Sequence, residues 1–305
     1  MFAIAFSLIA SLSYGSGDFM AGRIANKLPS ALIVLITQGM QAILVLGLAL
    51  LSDQPFVMTA LVWGIVGGIA NGTAYMLYYK ALTLGHAGVV APLVASSSII
   101  PVIISLLSGS IPNAYVFAGL TVVLIGVVGM TYNNEREVDA SIPMCRGVVM
   151  LILWNRPRIV IRPAQCIMLA LGSAITFGLA FTIASHGVEI SGSSVNWMVW
   201  GFQLGTLPIS ITSLLIGKFP WRKSLNSADT LKALSFVMLL NMGGDFLVAY
   251  AFRSGVLGIV SVLATLGPVV TILLSNMLLK QRLSLRQKVS AAVIMCGTLV
   301  IAYCR

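Results

Sequence analysis

The sequence predicts an all-α polytopic membrane protein with ten transmembrane helices in two inverted five-helix repeats. Three observations carry this. Of 305 residues, 58% are hydrophobic and 9% charged, where an ordinary soluble domain has about 25% charged; mean hydropathy is +1.01. The long runs are apolar all round rather than alternating with period two, which excludes a β-barrel. Finally, residues 81–107 shifted by 170 fall on 251–277, laying Gly85 on Gly255, Gly88 on Gly258, Leu93 on Leu263 and Ser105 on Ser275. The same shift brings Asn71 onto Asn241. A repeat with an odd number of spans must be inverted in the membrane, as in many secondary transporters.

A hydrocarbon core about 30 Å thick needs roughly 20 apolar residues per helix. The first half supplies spans at 2–22, 30–51, 57–81, 89–107 and 115–131, and the second at 164–184, 195–216, 230–251, 256–279 and 285–303. Asp53-Gln54-Pro55 and Ile111-Pro112-Asn113 are turn signals between spans. Residues 132–163 form the long polar stretch, with Glu135, Glu137 and Asp139 followed by Arg146, Arg156, Arg158 and Arg162. The chain therefore divides into a first repeat at 1–131, a basic linker at 132–163 and a second repeat at 164–305. The apolar piece 148–154 is too short to span and reads as interfacial or loop.

The net charge of +10 comes from 18 Lys and Arg against 8 Asp and Glu. In a membrane protein this surplus sits in cytoplasmic loops facing anionic lipid, so nucleic acid is not an expected partner. All Lys and Arg except Arg253 and Arg305 fall beside the loops after spans 1, 3, 5, 7 and 9, which puts those loops in the cytoplasm and both termini outside. The first run lacks a preceding positive residue and reads as a retained helix rather than a signal peptide. Cys145, Cys166, Cys296 and Cys304 show no C-x-x-C spacing, so neither metal nor redox site is expected. No enzyme motif occurs: H-E-x-x-H, a P-loop and G-x-S-x-G are all missing. No cofactor is expected.

Ionisable and amide groups at membrane depth are functional candidates. Asp18 shares a helical face with Ser11 and Tyr14, and Asp245 lies one turn after Asn241. The Asn71/Tyr75 pair maps onto Asn241/Asp245 under the repeat shift. Gln38 in span 2 and Asn196, Trp200 and Gln203 in span 7 complete the expected substrate pathway. The structural alternative is helix–helix hydrogen bonding, at about 0.6 kcal/mol each, with Asp18 pairing to Arg23 at the interface and Trp200 in an aromatic belt. His186 and Glu189 read as loop residues. Gly85, Gly88, Pro92, Pro101, Gly255, Gly258 and Pro268 are the expected hinge and packing positions, since proline frees carbonyls and kinks a helix.

These residues carry a resemblance. The stretch 251–286, AFRSGVLGIVSVLATLGPVVTILLSNMLLKQRLSLR, is similar to the corresponding segment of EamA-type members of the drug/metabolite transporter superfamily. Residues 81–101, ALTLGHAGVVAPLVASSSIIP, resemble its first-repeat counterpart. Ser13-Tyr14-Gly15-Ser16-Gly17-Asp18-Phe19 and Thr176-Phe177-Gly178 resemble the aromatic-Gly opening of each half. The resemblance implies a central cavity through which a small metabolite moves. The chain departs from the family at Lys280-Gln281-Arg282-Leu283, where Gly-Glu-Arg-Leu is usual, and the family implies termini inside, against the charge count.

The expected function is therefore secondary-active export of a small metabolite or amino-acid-like solute by alternating access. Expected partners are that solute, the bilayer and, if a proton drives the cycle, a proton. The chain is expected to be a monomer or weak homodimer in the cell (inner or plasma) membrane. The competing classes are a non-transporting membrane subunit or sensor, and an intramembrane enzyme using Asp18 and Asp245 as an aspartyl pair.

Overall fold

A computed structural model describes residues 2–25, 28–84, 90, 93–109, 114–131, 163–192, 194–217, 228–255 and 257–279, with short helical pieces between 285 and 300. Gly85, Gly88, Pro92 and the linker 132–162 lie outside the described residues, as does most of the tenth span. Among the described residues the regular structure is helical throughout.

Helices α1 (Phe2–Ala25), α2 (Ser30–Leu51) and α3 (Met58–Leu84) lead into a 3₁₀ turn at Ser96–Ser98 and α4 (Ile99–Leu107). Then come α5 (Ala114–Thr131), α6 (Pro163–Ser191), α7 (Val195–Gly217), α8 (Ala228–Ser254), α9 (Leu257–Ala264) and α10 (Gly267–Leu279). By length and apolarity α1, α2, α3, α6, α7 and α8 can cross a membrane, while Leu93–Leu107, Phe117–Gly126 and Leu257–Thr271 are apolar but shorter. Leucines and isoleucines such as Leu51, Leu215 and Ile216 are exposed, whereas Gln38, Gln41 and Gln203 are buried. That inside-out pattern fits a hydrocarbon solvent, and the chain is a membrane-embedded, multi-pass protein.

The expected spans 4 and 9 both tighten near their middles while keeping helical hydrogen bonds, Ile99 N–H donating to the Ser96 carbonyl and the N–H groups of Thr265 and Leu266 to those of Ser261 and Leu263. In the ninth, α9 stops at Ala264 and α10 begins at Gly267; in the fourth, the backbone tightens at Ser96–Ser98 before α4. The two tightened stretches overlap under the 170-residue shift, which lays 96–98 on 266–268 beside the turn at 265–266. Pro101 and Pro268 each stand just after the tightened stretch, in the first turn of the α-helix that follows it. Gly258 is a close-packing position, its N–H donating to Ser105 Oγ at 2.8 Å; Gly255 lies against Ala3 of α1.

Small residues set the helix crossings. Gly64, Gly68 and Gly72 of α3 meet Gly201, Gly205 and Thr206 of α7 so closely that a Cβ at Gly68 would strike the Phe202 carbonyl oxygen, and one at Gly205 that of Ile65. This is the small-xxx-small packing of membrane helices. Gly15 of α1 abuts Gly267 and Val270, and Gly178 of α6 abuts Ser97 and Ile100. Each tightened span thus rests on a glycine of the first helix of the opposite half. Thr271 Oγ1 donates to the Gly15 carbonyl (2.9 Å) and Ser173 Oγ to that of Ala74 (2.9 Å).

One boundary differs from expectation. α6 runs on to Ser191 and ends at Gly192, whose φ of +57° closes the helix in the left-handed region. His186 and Glu189 are therefore helical. The His186 ring meets Trp63 edge-on at 4.7 Å, and its Nδ1 lies 3.9 Å from Glu189.

Candidate functional site

At mid-span the helices leave a cavity of about 80 Å³, partly open to the exterior. Its polar lining is Tyr14 and Asp18 from α1, Asn71, Tyr75 and Tyr78 from α3, and Asp245 from α8. Phe177 and Phe181 of α6 and Phe202 of α7 supply aromatic surface. The two tightened stretches close the ring, with Val94, Ala95 and Ser97 on one side and Ala264, Thr265 and Gly267 on the other. The members of that last set correspond pairwise under the 170-residue shift, as do Tyr75 and Asp245. A shift of 163 relates Tyr14 to Phe177 and Asp18 to Phe181.

Asp245 is held on both sides. Tyr14 donates its hydroxyl to Oδ1 at 2.8 Å, and Gln203 donates Nε2 to Oδ2 at 2.7 Å. The helix spacing explains this: Tyr14 faces α8 because Gly244, one residue before Asp245, leaves room for its ring. Asp18 is different. Its Oδ1 is buried without a hydrogen-bond partner among the described residues. The Tyr78 hydroxyl stands beside it without closing a bond of standard geometry. The alternative pairing of Asp18 with Arg23 is not what the structure has, since the Arg23 guanidinium lies 5.6 Å from the Phe19 ring centroid. Charge at this depth without a partner is costly, which sets the Asp18 carboxyl apart from that of Asp245.

The remaining candidates surround the cavity without lining it. Asn241 is buried with Oδ1 against Gly17 and unpartnered. Gln38 Oε1 accepts a long bond from Thr206 (3.5 Å) in the α2–α7 contact. Trp200 stacks edge-on with Trp197 at 5.8 Å, part of the packed interior. Asn196 belongs to a separate cluster at the start of α7. There Gln54, in the α2–α3 turn, accepts from the Asn196 N–H at 2.8 Å and donates to the Tyr250 hydroxyl at 3.4 Å. Trp197 Nε1 donates to the Gln54 carbonyl (3.2 Å), Ser194 Oγ to that of Pro55 (2.6 Å), and Phe56 meets Trp197 edge-on at 4.9 Å. This clasp joins α2–α3, α6–α7 and α8 at one end of the bundle.

Sequence reasoning passed over the clasp because a polar turn residue is unremarkable by itself. Phe177 stands in the Thr176-Phe177-Gly178 motif, whereas nothing local in the sequence marks Phe181 or Phe202 as lining residues. The signal that was available was the 163-residue match of Phe177 and Phe181 to Tyr14 and Asp18. Gln54→Ala is expected to remove two side-chain bonds, costing about 1–2 kcal/mol, and to loosen that end. In a background without native cysteines, Ser194→Cys should then react several-fold faster with a water-soluble maleimide. An unchanged rate would show that the clasp does not hold the end closed.

Fold and cavity together define a polytopic membrane protein with a partly open cavity between its helices. The sequence model of the EamA-like transporter family matches residues 1–132 and 164–303, and the chain belongs to that family. A protein of known crystal structure shares the fold with a TM-score of 0.70 at 17% sequence identity, over 98% of this chain and 95% of the other. No curated protein matches it. The family places the chain among membrane transporters of the drug/metabolite type, which are not enzymes.

Proposed function

We propose that the protein is a secondary-active exporter of a small metabolite, working by alternating access around the mid-span cavity. The observation that carries this reading is the cavity lining itself, drawn from both halves in repeat-related pairs and closed by two tightened stretches. Transporters of inverted-repeat design bind solute near the midplane, at the interface between repeats. The pairing supports ten spans in two inverted repeats, at 1–131 and 164–305, with the tightened stretches counted within spans 4 and 9 and the pieces after 285 as the tenth.

Alternating access requires the two ends to open in turn. The α3–α7 glycine contact and the Gln54 clasp both lie toward the end that carries the α2–α3 and α6–α7 turns. The repeat-related positions of α8 are Leu234, Met238 and Met242, too bulky for the same approach to α2. That asymmetry favours a conformation sealed at the clasp end. We assign proton coupling to Asp245, whose two oxygens are held by groups on α1 and α7, and place the protein in the cell membrane.

Purified protein in liposomes loaded with a mixture of small metabolites tests the reading. A subset of solutes should leave faster than from protein-free liposomes and should do so in exchange for the same solutes outside. Release equal to the protein-free control across the mixture would sink it and favour a non-transporting subunit or sensor. Orientation is tested separately: an alkaline phosphatase fused after Arg305 should be active and a fluorescent protein fused there dark. The reverse pair of results would put both termini inside.

A further inference from the structure

The cavity wall is chemically one-sided. Among the described residues it presents two carboxylates, Asp18 and Asp245, and no Lys, Arg or His. Asp245 already receives Tyr14 and Gln203 on its two oxygens, whereas Asp18 lines the cavity half-buried, its Oδ1 tucked away beside the Tyr78 hydroxyl and without a hydrogen-bond partner among the described residues. Rings from two helices line the cavity with this carboxyl group. Tyr75 meets Phe177 edge-on with centroids 5.0 Å apart, and Tyr78 meets the same ring at 6.4 Å. Tyr78 is 1% exposed, and its hydroxyl has no hydrogen-bond partner among the described residues.

Ligand class follows from these parts. An anion would face uncompensated carboxylates in a low-dielectric site, where like charge repels strongly. A zwitterion would find a partner for its amine but only amides and hydroxyls for its carboxylate. A compact organic cation would meet both a counter-charge and aromatic surface, the combination that recognises ammonium groups. Resting on the transporter reading above, we infer that the cavity is an organic-cation site, with Asp18 as counter-ion and Tyr75, Tyr78 and Phe177 as its aromatic wall. This makes the substrate an amine or quaternary ammonium compound carrying some apolar surface, matched to a lining that is largely aromatic and aliphatic. Asp245, already engaged by α1 and α7, stays outside the binding contact.

Equilibrium dialysis of the purified full chain in detergent tests this, with benzyltrimethylammonium as probe and phenylacetate as its anionic counterpart. The cation should bind and the anion should not compete. Asp18→Asn, which keeps size and polarity, should weaken cation binding at least tenfold. Phe177→Leu should weaken it several-fold, and Asp53→Asn, an exposed carboxylate in the α2–α3 turn, should leave it unchanged. Equal binding of phenylacetate, failure of the cation to bind, or full affinity in a monodisperse Asp18→Asn protein would each overturn the assignment. If Asp18→Asn does not fold, the cation–anion comparison on the unaltered protein still decides. The liposome experiment reports independently: release of anions or zwitterions alone would defeat the cation site and keep the transporter, whereas cation binding without release of any solute would do the opposite.

Discussion

In sealed vesicles carrying an imposed proton gradient, Asp245→Asn is expected to abolish solute accumulation while leaving solute exchange at equal proton concentration within about threefold of normal. The reason is in the hydrogen bonds. With the carboxylate ionised, both oxygens accept, Oδ1 from Tyr14 and Oδ2 from Gln203. A proton arriving on Oδ1 needs an acceptor, and the Tyr14 oxygen can become one by turning its own hydrogen away. The Gln203 amide nitrogen cannot reverse in this way. Protonation therefore changes the α1–α8 contact and spares the α7–α8 contact, a local event of the kind that biases a two-state bundle. Asparagine holds the second arrangement permanently, with its amide nitrogen donating to Tyr14 and its oxygen accepting from Gln203. Accumulation by Asp245→Asn vesicles within twofold of normal would remove this residue from coupling.

Gly68→Leu and Gly205→Leu are expected to be the most damaging single changes to stability. Either side chain would have to occupy space held by backbone of the opposing helix, and backbone in a packed helix cannot move aside as a flexible side chain does. The cost should reach or pass the upper end of the roughly 1–3 kcal/mol seen for overpacked sites. Gly47→Leu and Gly243→Leu provide the controls, since nothing lies within 4 Å of a Cβ at either position. Thermal unfolding in detergent should show a marked loss of melting temperature for the first two and little change for the controls. If Gly68→Leu melts with Gly243→Leu, the α3–α7 contact is not what holds this end of the bundle together.

The helices were readable because hydrocarbon demands long apolar runs, and the runs are there. The tightened turns of spans 4 and 9 were less readable. Proline marks their neighbourhood, but Pro101 and Pro268 stand after the tightened turns, and the contacts those turns make with Gly178 and Gly15 come from another helix, which spacing along one span cannot show. Asp18 and Asp245 stood out in the sequence because carboxylates are rare at such depth. Their different partners did not, since spacing along one helix says nothing of what a second helix brings. Phe177, Phe181 and Phe202 were hidden for the opposite reason: aromatic residues are common in membrane helices, and only the fold turns these three toward one space. The α3 glycines at 64, 68 and 72 form a visible pattern, yet their partners at 201 and 205 emerge only once the helices are side by side.

The two tightened spans bear on how the chain is made. Helical hydrogen bonds run through both tightened stretches, but each presents a surface fitted to a glycine of another helix, a close contact that lipid does not reproduce. Neither span is therefore suited to wait alone in the bilayer. Span 9 is covered by α1, which is synthesised long before it and is ready when it arrives. Span 4 is covered by α6, which leaves the ribosome only after the linker has been made. During that interval span 4 needs temporary shelter from the insertion machinery or from its own neighbours. The first half, expressed by itself, would keep that surface uncovered indefinitely, so the two halves mature as one unit although each has the outline of a bundle.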